Sequence, residues 1–466
     1  MTNFLQQEFK IHPVGQGLFY SGKITHDNKV KFRMVFDCGS INKKDCNQEV
    51  YIYRDSDFLD EKIIDLLIIS HFDGDHINMI ENLLHENIKI KKLVMPFLTF
   101  EERLFLVLRY FSDESPKVED DFFIRFALDP LNTISDNLDD DSQVFVIESG
   151  PNEPINDDGF IQSENNDSKN RFKFGFKDAE KISPNRDVFT SNTEMGIFKT
   201  NDSKKGILFN GMLKLMEFIF YRKKVHDDEK FWYDKITDIF YEDFKIDRNL
   251  PDQELLNVTL NEIKKIKSSS KIKEIFTKAK KAVGNIKGDL KNLNTTALCM
   301  LHKNLPDIFE LGHNAGRNFY HNIIVNSIHK FESSRIENTV LKYSDYYWNF
   351  HEYDRSSIFP NVLLTSDIFL LKKNDVDQFM RHYKNYWNNF WLFQIPHHGS
   401  EKSSDDLLYS NLVHTNHCFI NYGIGNRDKH PNTKVIQDLV KTGNSSKIIP
   451  VNQIVGLCFA LSISFS

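Results

Sequence analysis

The chain has 466 residues, 40% apolar and 13% aromatic, enough to bury a large core in one elaborated domain or in two to three ordinary ones. A mean hydropathy of -0.45 and a start, Met1-Thr2-Asn3-Phe4-Leu5-Gln6, without signal-peptide character argue against a membrane span and against secretion. A cytoplasmic location is expected, with the five scattered cysteines (Cys38, Cys46, Cys299, Cys418 and Cys458) as reduced, mostly buried thiols, and a formal net charge of -7 excludes whole-molecule attraction to nucleic acid.

The N-terminal part reads as antiparallel strands of one sheet over Phe9 to Val14, Leu18 to Ile24 and Val30 to Phe36, with Gly15-Gln16-Gly17 as a tight turn. The apolar run Ile64 to Ser70 predicts a buried strand, followed by a helix from near His76 and a strand over Lys92 to Met95. A helix is predicted over Phe100 to Phe111, an acidic loop over Asp136 to Asp141 and a strand over Gln143 to Glu148. From 151 to 290 the composition changes, and helix-forming segments at Gly211 to Lys224 and Gln253 to Ala282 predict a mainly helical insertion. The run from Lys264 to Lys291 is the only strongly basic stretch; it is a solvated helix face or a contact surface for nucleic acid, and the insertion itself could receive a protein partner. Beyond it come strands at Thr295 to Leu301, Val362 to Ser366, Phe390 to Ile395, Cys418 to Tyr422, Ile448 and Leu457 to Ser462. Helices are predicted at Asp375 to Trp387, Ser403 to Leu412 and Asn432 to Lys441.

Chemistry concentrates where apolar strands stop. His71-Phe72-Asp73-Gly74-Asp75-His76 packs four candidate metal ligands into one turn, a donor set of imidazole and carboxylate that suits zinc, manganese or iron. Asp367 ends the run Val362 to Ser366, His397 and His398 end the run Trp391 to Pro396, and His430 stands before Pro431 in a Gly- and Asn-containing loop. Strand ends on one edge of a sheet face a common crevice, where loops vary without disturbing the core.

These segments together resemble the metallo-β-lactamase-fold hydrolases. The His-x-Asp-x-Asp-His turn, Val14-Gly15-Gln16-Gly17, Phe36-Asp37-Cys38-Gly39, Asn294 to Leu298, Leu364-Thr365-Ser366-Asp367 and Pro396-His397-His398-Gly399-Ser400 are similar to the soluble hydrolase domain of ComEC-type DNA-uptake proteins. The resemblance covers about 1 to 150 and 290 to 466, and implies an α/β fold, a four-layered αββα sandwich, in two halves separated by the insertion. It implies two divalent metal ions, zinc or manganese, held by His71, Asp73, Asp75, His76 and His397 or His398, with Asp367 bridging. Asp75 is then expected to orient or deprotonate the attacking water, and His398 or His430 to protonate the leaving group, with a loop-capping role for His430 equally open. Asp37 is expected to support the ligand loop by hydrogen bonding. Ser366 stands where glycine is usual, and His302 and His313 are the nearest candidates for a middle histidine ligand.

The implied activity is that of a metal-dependent phosphodiesterase or nuclease using a metal-activated hydroxide. A hydrolase of a small ester, lactone or phosphorylated metabolite, or a partner-binding module with a vestigial metal site, are the alternatives.

Overall fold

The computed structural model describes residues 3–58, 61–113, 121–150, 171–188, 190, 192, 194–210, 213–225, 227–266, 268–283, 297–305, 320–329, 341–342, 361–388, 390–443 and 448–465. The strands are β1 (Asn3–Ile11), β2 (Gly17–His26), β3 (Lys29–Ser40), β4 (Ile63–Ile64), β5 (Leu66–Ile68), β6 (Lys89–Pro96), β7 (Leu138–Glu148), β8 (Lys173–Phe176), β9 (Glu180–Lys181) and β10 (Gly196–Asn201). They continue with β11 (Lys205–Asn210), β12 (Leu213–Arg222), β13 (Leu298–Asn304), β14 (Tyr320–His329), β15 (Leu341–Lys342), β16 (Val362–Leu364), β17 (Leu392–Gln394), β18 (His417–Asn421), β19 (Ile448–Val451) and β20 (Val455–Phe465). The helices are α1 (Lys43–Asp57), α2 (Gly74–Ile77), α3 (Ile80–Leu83), α4 (Phe100–Asp113), α5 (Asp121–Leu128), α6 (Pro130–Thr133), α7 (Asp227–Phe244), α8 (Asp252–Lys265), α9 (Ser269–Val283), α10 (Lys373–His382), α11 (Asp406–Ser410) and α12 (Thr433–Lys441). No helix among the described residues is long and apolar enough to cross a membrane.

The described strands form two mixed sheets of an α/β protein. The twelve-stranded sheet runs β15-β14-β20-β1-β2-β3-β5-β6-β7-β10-β9, with β4 on β6; the eight-stranded sheet runs β19-β18-β17-β16-β13-β12-β11-β8. β1, β2 and β3 are antiparallel neighbours, as the sequence predicts, whereas β3, β5, β6 and β7 run parallel. In the second sheet β16, β17, β18 and β19 are parallel. Parallel strands covered on both faces are continuous apolar runs, and β5 obeys that rule. Leu66 and Ile68 join a cluster with Phe218, Phe220, Met300, Leu364, Leu392 and Phe419 of the other sheet. Leu67 and Ile69 face the opposite way, into a cluster with helices α1, α4, α7 and α9. On the far side of the second sheet, Ile219, Tyr221, Leu363 and Phe393 pack with α10, α11 and α12.

Several expectations are corrected here. The segment predicted as a helix at Gly211 to Lys224 contributes β12, paired with β11 and β13. Its apolar run alternates between two cores: Phe218 and Phe220 face the inter-sheet cluster, Ile219 and Tyr221 the α10–α12 side. Only a strand has that period of two. The stretch from 171 to 222 thus supplies β8 to β12 to both sheets, and the helical part of the expected insertion is α7 to α9, with Phe105 of α4 packed on Tyr233 and Phe276 at 4.4 and 6.0 Å. The acidic loop at Asp136 to Asp141 is largely the start of β7, where Asp139 and Asp141 pair with Lys89 and Lys91 across the sheet at 2.9 and 3.0 Å. Helices α1, α5, α6 and α7 have no counterpart among the elements expected from the sequence.

Candidate metal centre

Four loops from two sheets meet at one edge. The first leaves β5 through Ser70 and enters α2 at Gly74; the others follow β16, β17 and β18. A main-chain bond from Leu298 N–H to Ser70 O at 2.8 Å closes the seam between the sheets at this point. Asp73 takes the N-cap position of α2 in extended conformation, without a capping hydrogen bond from its side chain, so its carboxylate stays available. Two glycines let α2 lie this deep: a Cβ at Gly17 would fall 2.4 Å from Asp75 O, and one at Gly39 would fall 2.6 Å from His76 C. The Gly-x-Gly of residues 15 to 17 therefore serves close packing beneath a ligand loop.

The side chains converge. Asp75, His76, Asp367 and His398 each offer a ligand atom within 4.8 Å of one another. His76 Nε2 lies 3.5 Å from Asp367 Oδ1, and His398 Nε2 lies 3.5 Å from Asp367 Oδ2 and 3.6 Å from Asp75 Oδ2. The His71 ring stands 4.1 Å from that of His76, with its Nε2 3.8 Å from Asp73 Oδ2. His397 Nε2 approaches Asp367 Oδ2 at 3.6 Å from the other side, and the His430 ring lies 5.8 Å from that of His397.

Of the two histidines that the sequence leaves open as ligands, the four-residue group includes His398, while His397 also approaches Asp367. His302, a candidate middle ligand, is elsewhere. It is buried between the sheets, stacked on Phe9 at 4.6 Å, with Nε2 2.6 Å from the Tyr20 hydroxyl, and burial holds its imidazole down to about 3. His313 lies outside the described residues.

Each inward-facing imidazole is oriented from behind. His76 Nδ1 bonds Asp37 Oδ2 at 2.8 Å, His398 Nδ1 meets the main-chain oxygen of Asn421 at 2.8 Å, and His71 Nδ1 meets Ser70 Oγ at 2.8 Å. Ser70 donates its main-chain N–H and its hydroxyl to the two oxygens of Asp37, which thereby steadies His76 directly and His71 through Ser70. A carbonyl or carboxylate oxygen can only accept, so His398 and His76 carry a proton on Nδ1, and Nε2 is the nitrogen each turns toward Asp367. Nε2 of His71, His76 and His398 and Oδ1 of Asp367 are buried with no hydrogen-bond partner. Buried polar atoms left unpaired cost roughly 1–3 kcal/mol each, and those of His76, His398 and Asp367 belong to the group whose ligand atoms lie within 4.8 Å of one another, a spacing that fits a cation.

Against burial, Asp367 and Asp37 raise the His76 imidazole well above its ordinary value, and Asp367 and Asp75 raise that of His398. Burial, with Asp75 and Asp367 nearby, pushes the Asp73 carboxyl up to about 7. Burial and His76 hold the His71 imidazole down to about 3. Against burial, His398, His397 and His76 hold the Asp367 carboxyl well below its usual range. The backbone is strained here too: Asp37, Ser366, His397 and His398 all have positive φ, from 47° to 57°, a conformation costing non-glycine residues about 1 kcal/mol or more each.

Sequence reasoning missed Ser70, whose hydroxyl links Asp37 to His71 and lies 2.8 Å from Ser366 Oγ, and it missed the buried amides Gln394 and Asn421. The available signal was a lone polar residue closing each of the apolar strands Leu392-Phe393-Gln394 and Phe419-Ile420-Asn421. No protein-family model and no curated protein matches the chain.

Proposed function

We propose that the protein is a metal-dependent hydrolase of metallo-β-lactamase type, a four-layered αββα sandwich that cleaves phosphodiesters, with nucleic acid as substrate. The layering is supported by the three apolar clusters, one between the sheets and one between each sheet and its helices. The observation that carries the activity is the convergence of Asp75, His76, Asp367 and His398 within 4.8 Å, with Nε2 of His76 and His398 and Oδ1 of Asp367 buried and without a hydrogen-bond partner. His76, His398, Asp75 and Asp367 would hold one divalent cation, and His71 with Asp73 a second beside Asp367. Three carboxylates in the donor set favour manganese or a mixed site over zinc alone, and oxygen-rich sites suit phosphoryl chemistry.

Bound there, such cations supply Lewis acidity, which makes water nucleophilic near neutral pH and offsets charge building on a phosphoryl group. The chain's own residues do the rest. Asp75, 17% exposed, stands at the mouth of the group, where its carboxylate can orient the attacking water and take its proton. Burial, with His397 and His398 nearby, holds the His430 imidazole down to about 4, so at neutral pH it is uncharged and serves to hydrogen-bond a leaving oxygen at the rim. Asn426 braces its loop, accepting from His430 N at 2.8 Å and donating to His430 O at 2.6 Å.

The lysine stretch is partly compensated within the fold. Lys264 pairs with Asp121, Lys265 with Glu262, and both Lys271 and Lys278 with Asp243. Among the described residues of the stretch, Lys273, Lys280 and Lys281 are exposed and would carry a polynucleotide contact; Lys267, Lys287 and Lys291 lie outside the described residues.

The test is cleavage of single-stranded DNA, duplex DNA, RNA and a small chromogenic phosphodiester with manganese or zinc. Asp75→Ala and His76→Ala are expected to lower the rate about 100-fold or more while unfolding remains cooperative. Full activity in both variants removes this assignment.

A further inference from the structure

The ligands come from loops on separate strands, and Leu364, Gln394 and Asn421 are the last residues of β16, β17 and β18. Past the strand ends one main-chain bond, His397 N–H to Ser366 O at 3.0 Å, still joins two of the loops. Beside it runs a string of side-chain amides. Gln394 Oε1 accepts from Ser366 N–H at 2.8 Å, and Gln394 Nε2 donates to Asn421 Oδ1 at 2.8 Å. Asn421 Nδ2 donates to Gly17 O at 2.6 Å, and the main-chain oxygen of Asn421 receives His398 Nδ1. Both amides are buried, at 0% and 1% exposure.

The two ends fix the polarity, because Ser366 N–H can only donate and Gly17 C=O can only accept. One end sits beside Asp367. The other is the residue against which the main chain of Asp75 rests. We propose that Gln394 and Asn421 are positioning residues that lock the Asp75, Asp367 and His398 loops into one ligand geometry, an inference that rests on the metal-centre reading above. They do not touch the reacting atoms. They act on where the ligands stand, the kind of support that orients ligands in metal sites.

The test titrates purified protein with cobalt(II), whose visible absorption reports coordination geometry, in wild type, Gln394→Met, Asn421→Leu and the double variant. Unfolding in chelator is followed in parallel. The expected result is a 10- to 100-fold loss of cobalt affinity and an altered spectrum in either single variant, with a double variant hardly worse than the singles because the amides form one string. Wild-type affinity and spectrum in folded variants overturn the proposal. Should the variants fail to fold, the isosteric Gln394→Glu and Asn421→Asp, which keep the volume but set an acceptor against Asn421 Oδ1 and against Gly17 O, take their place, and wild-type cobalt affinity and spectrum again overturn the proposal. Wild type that takes up no cobalt removes the metal-centre reading itself, an outcome distinct from variants that bind normally.

Discussion

Asp37 shows how one buried carboxylate organises the histidines around it. Its two oxygens are taken by Ser70 and His76, and through Ser70 it reaches His71. Replacing it with asparagine keeps the volume but sets an NH2 group against donors. Asp37→Asn is therefore expected to weaken manganese or zinc binding about 10- to 100-fold, read by equilibrium dialysis, with the fold retained. At this scale most of the cluster was legible: His71, Asp73, Asp75, His76 and Asp367 announce themselves as ligand-type residues directly after apolar strands. The choice between His397 and His398 was not. Adjacent histidines in a turn are equivalent in sequence, and only the left-handed backbone at both positions decides which ring turns toward Asp75. Ser366 was visible as a departure but not as a contact, since its hydroxyl meets Ser70 and His71 from 295 residues or more away in sequence.

Among elements, period-two strands with mixed faces were readable, and β1 to β3 stand as antiparallel neighbours. A continuous apolar run is ambiguous between a buried helix and a strand buried on both faces, which is why β12 was misread. Phe218 provides a check. It is fully buried in the inter-sheet cluster, 5.3 Å from the Phe174 ring. Phe218→Ala is expected to cost about 3–5 kcal/mol, measured by denaturant unfolding, and a cost below about 1 kcal/mol would place that ring at the surface. Helix α1 escaped notice for the opposite reason: its buried positions are few, Cys46, Glu49, Val50 and Tyr53, within an otherwise polar segment.

At the scale of the molecule, the core contains histidines that fold in the neutral state. Burial alone carries His302 from 6.5 down to about 3. Between those values the unfolded chain holds a proton that the folded chain lacks, so this group makes stability fall as pH drops below about 6.5, at up to about 1.4 kcal/mol per pH unit. His302→Gln, which keeps a partner for Tyr20, is expected to flatten that dependence by up to one proton, measured as unfolding free energy against pH from 4 to 7; an unchanged slope would mean His302 is charged in the fold. The two-sheet division was implied by resemblance alone, because pairing across hundreds of residues leaves no local trace. That pairing limits how the chain can be shortened. Residues 196–201 extend the first sheet beyond β7, and residues 205–222 extend the second beyond β13. A truncated protein lacking residues 171–222 would carry two raw, hydrogen-bond-hungry borders, and its expected behaviour on a sizing column is self-association. Trimming the sequence back to its recognisable halves would thus leave two sticky sheet borders where the whole chain has paired strands.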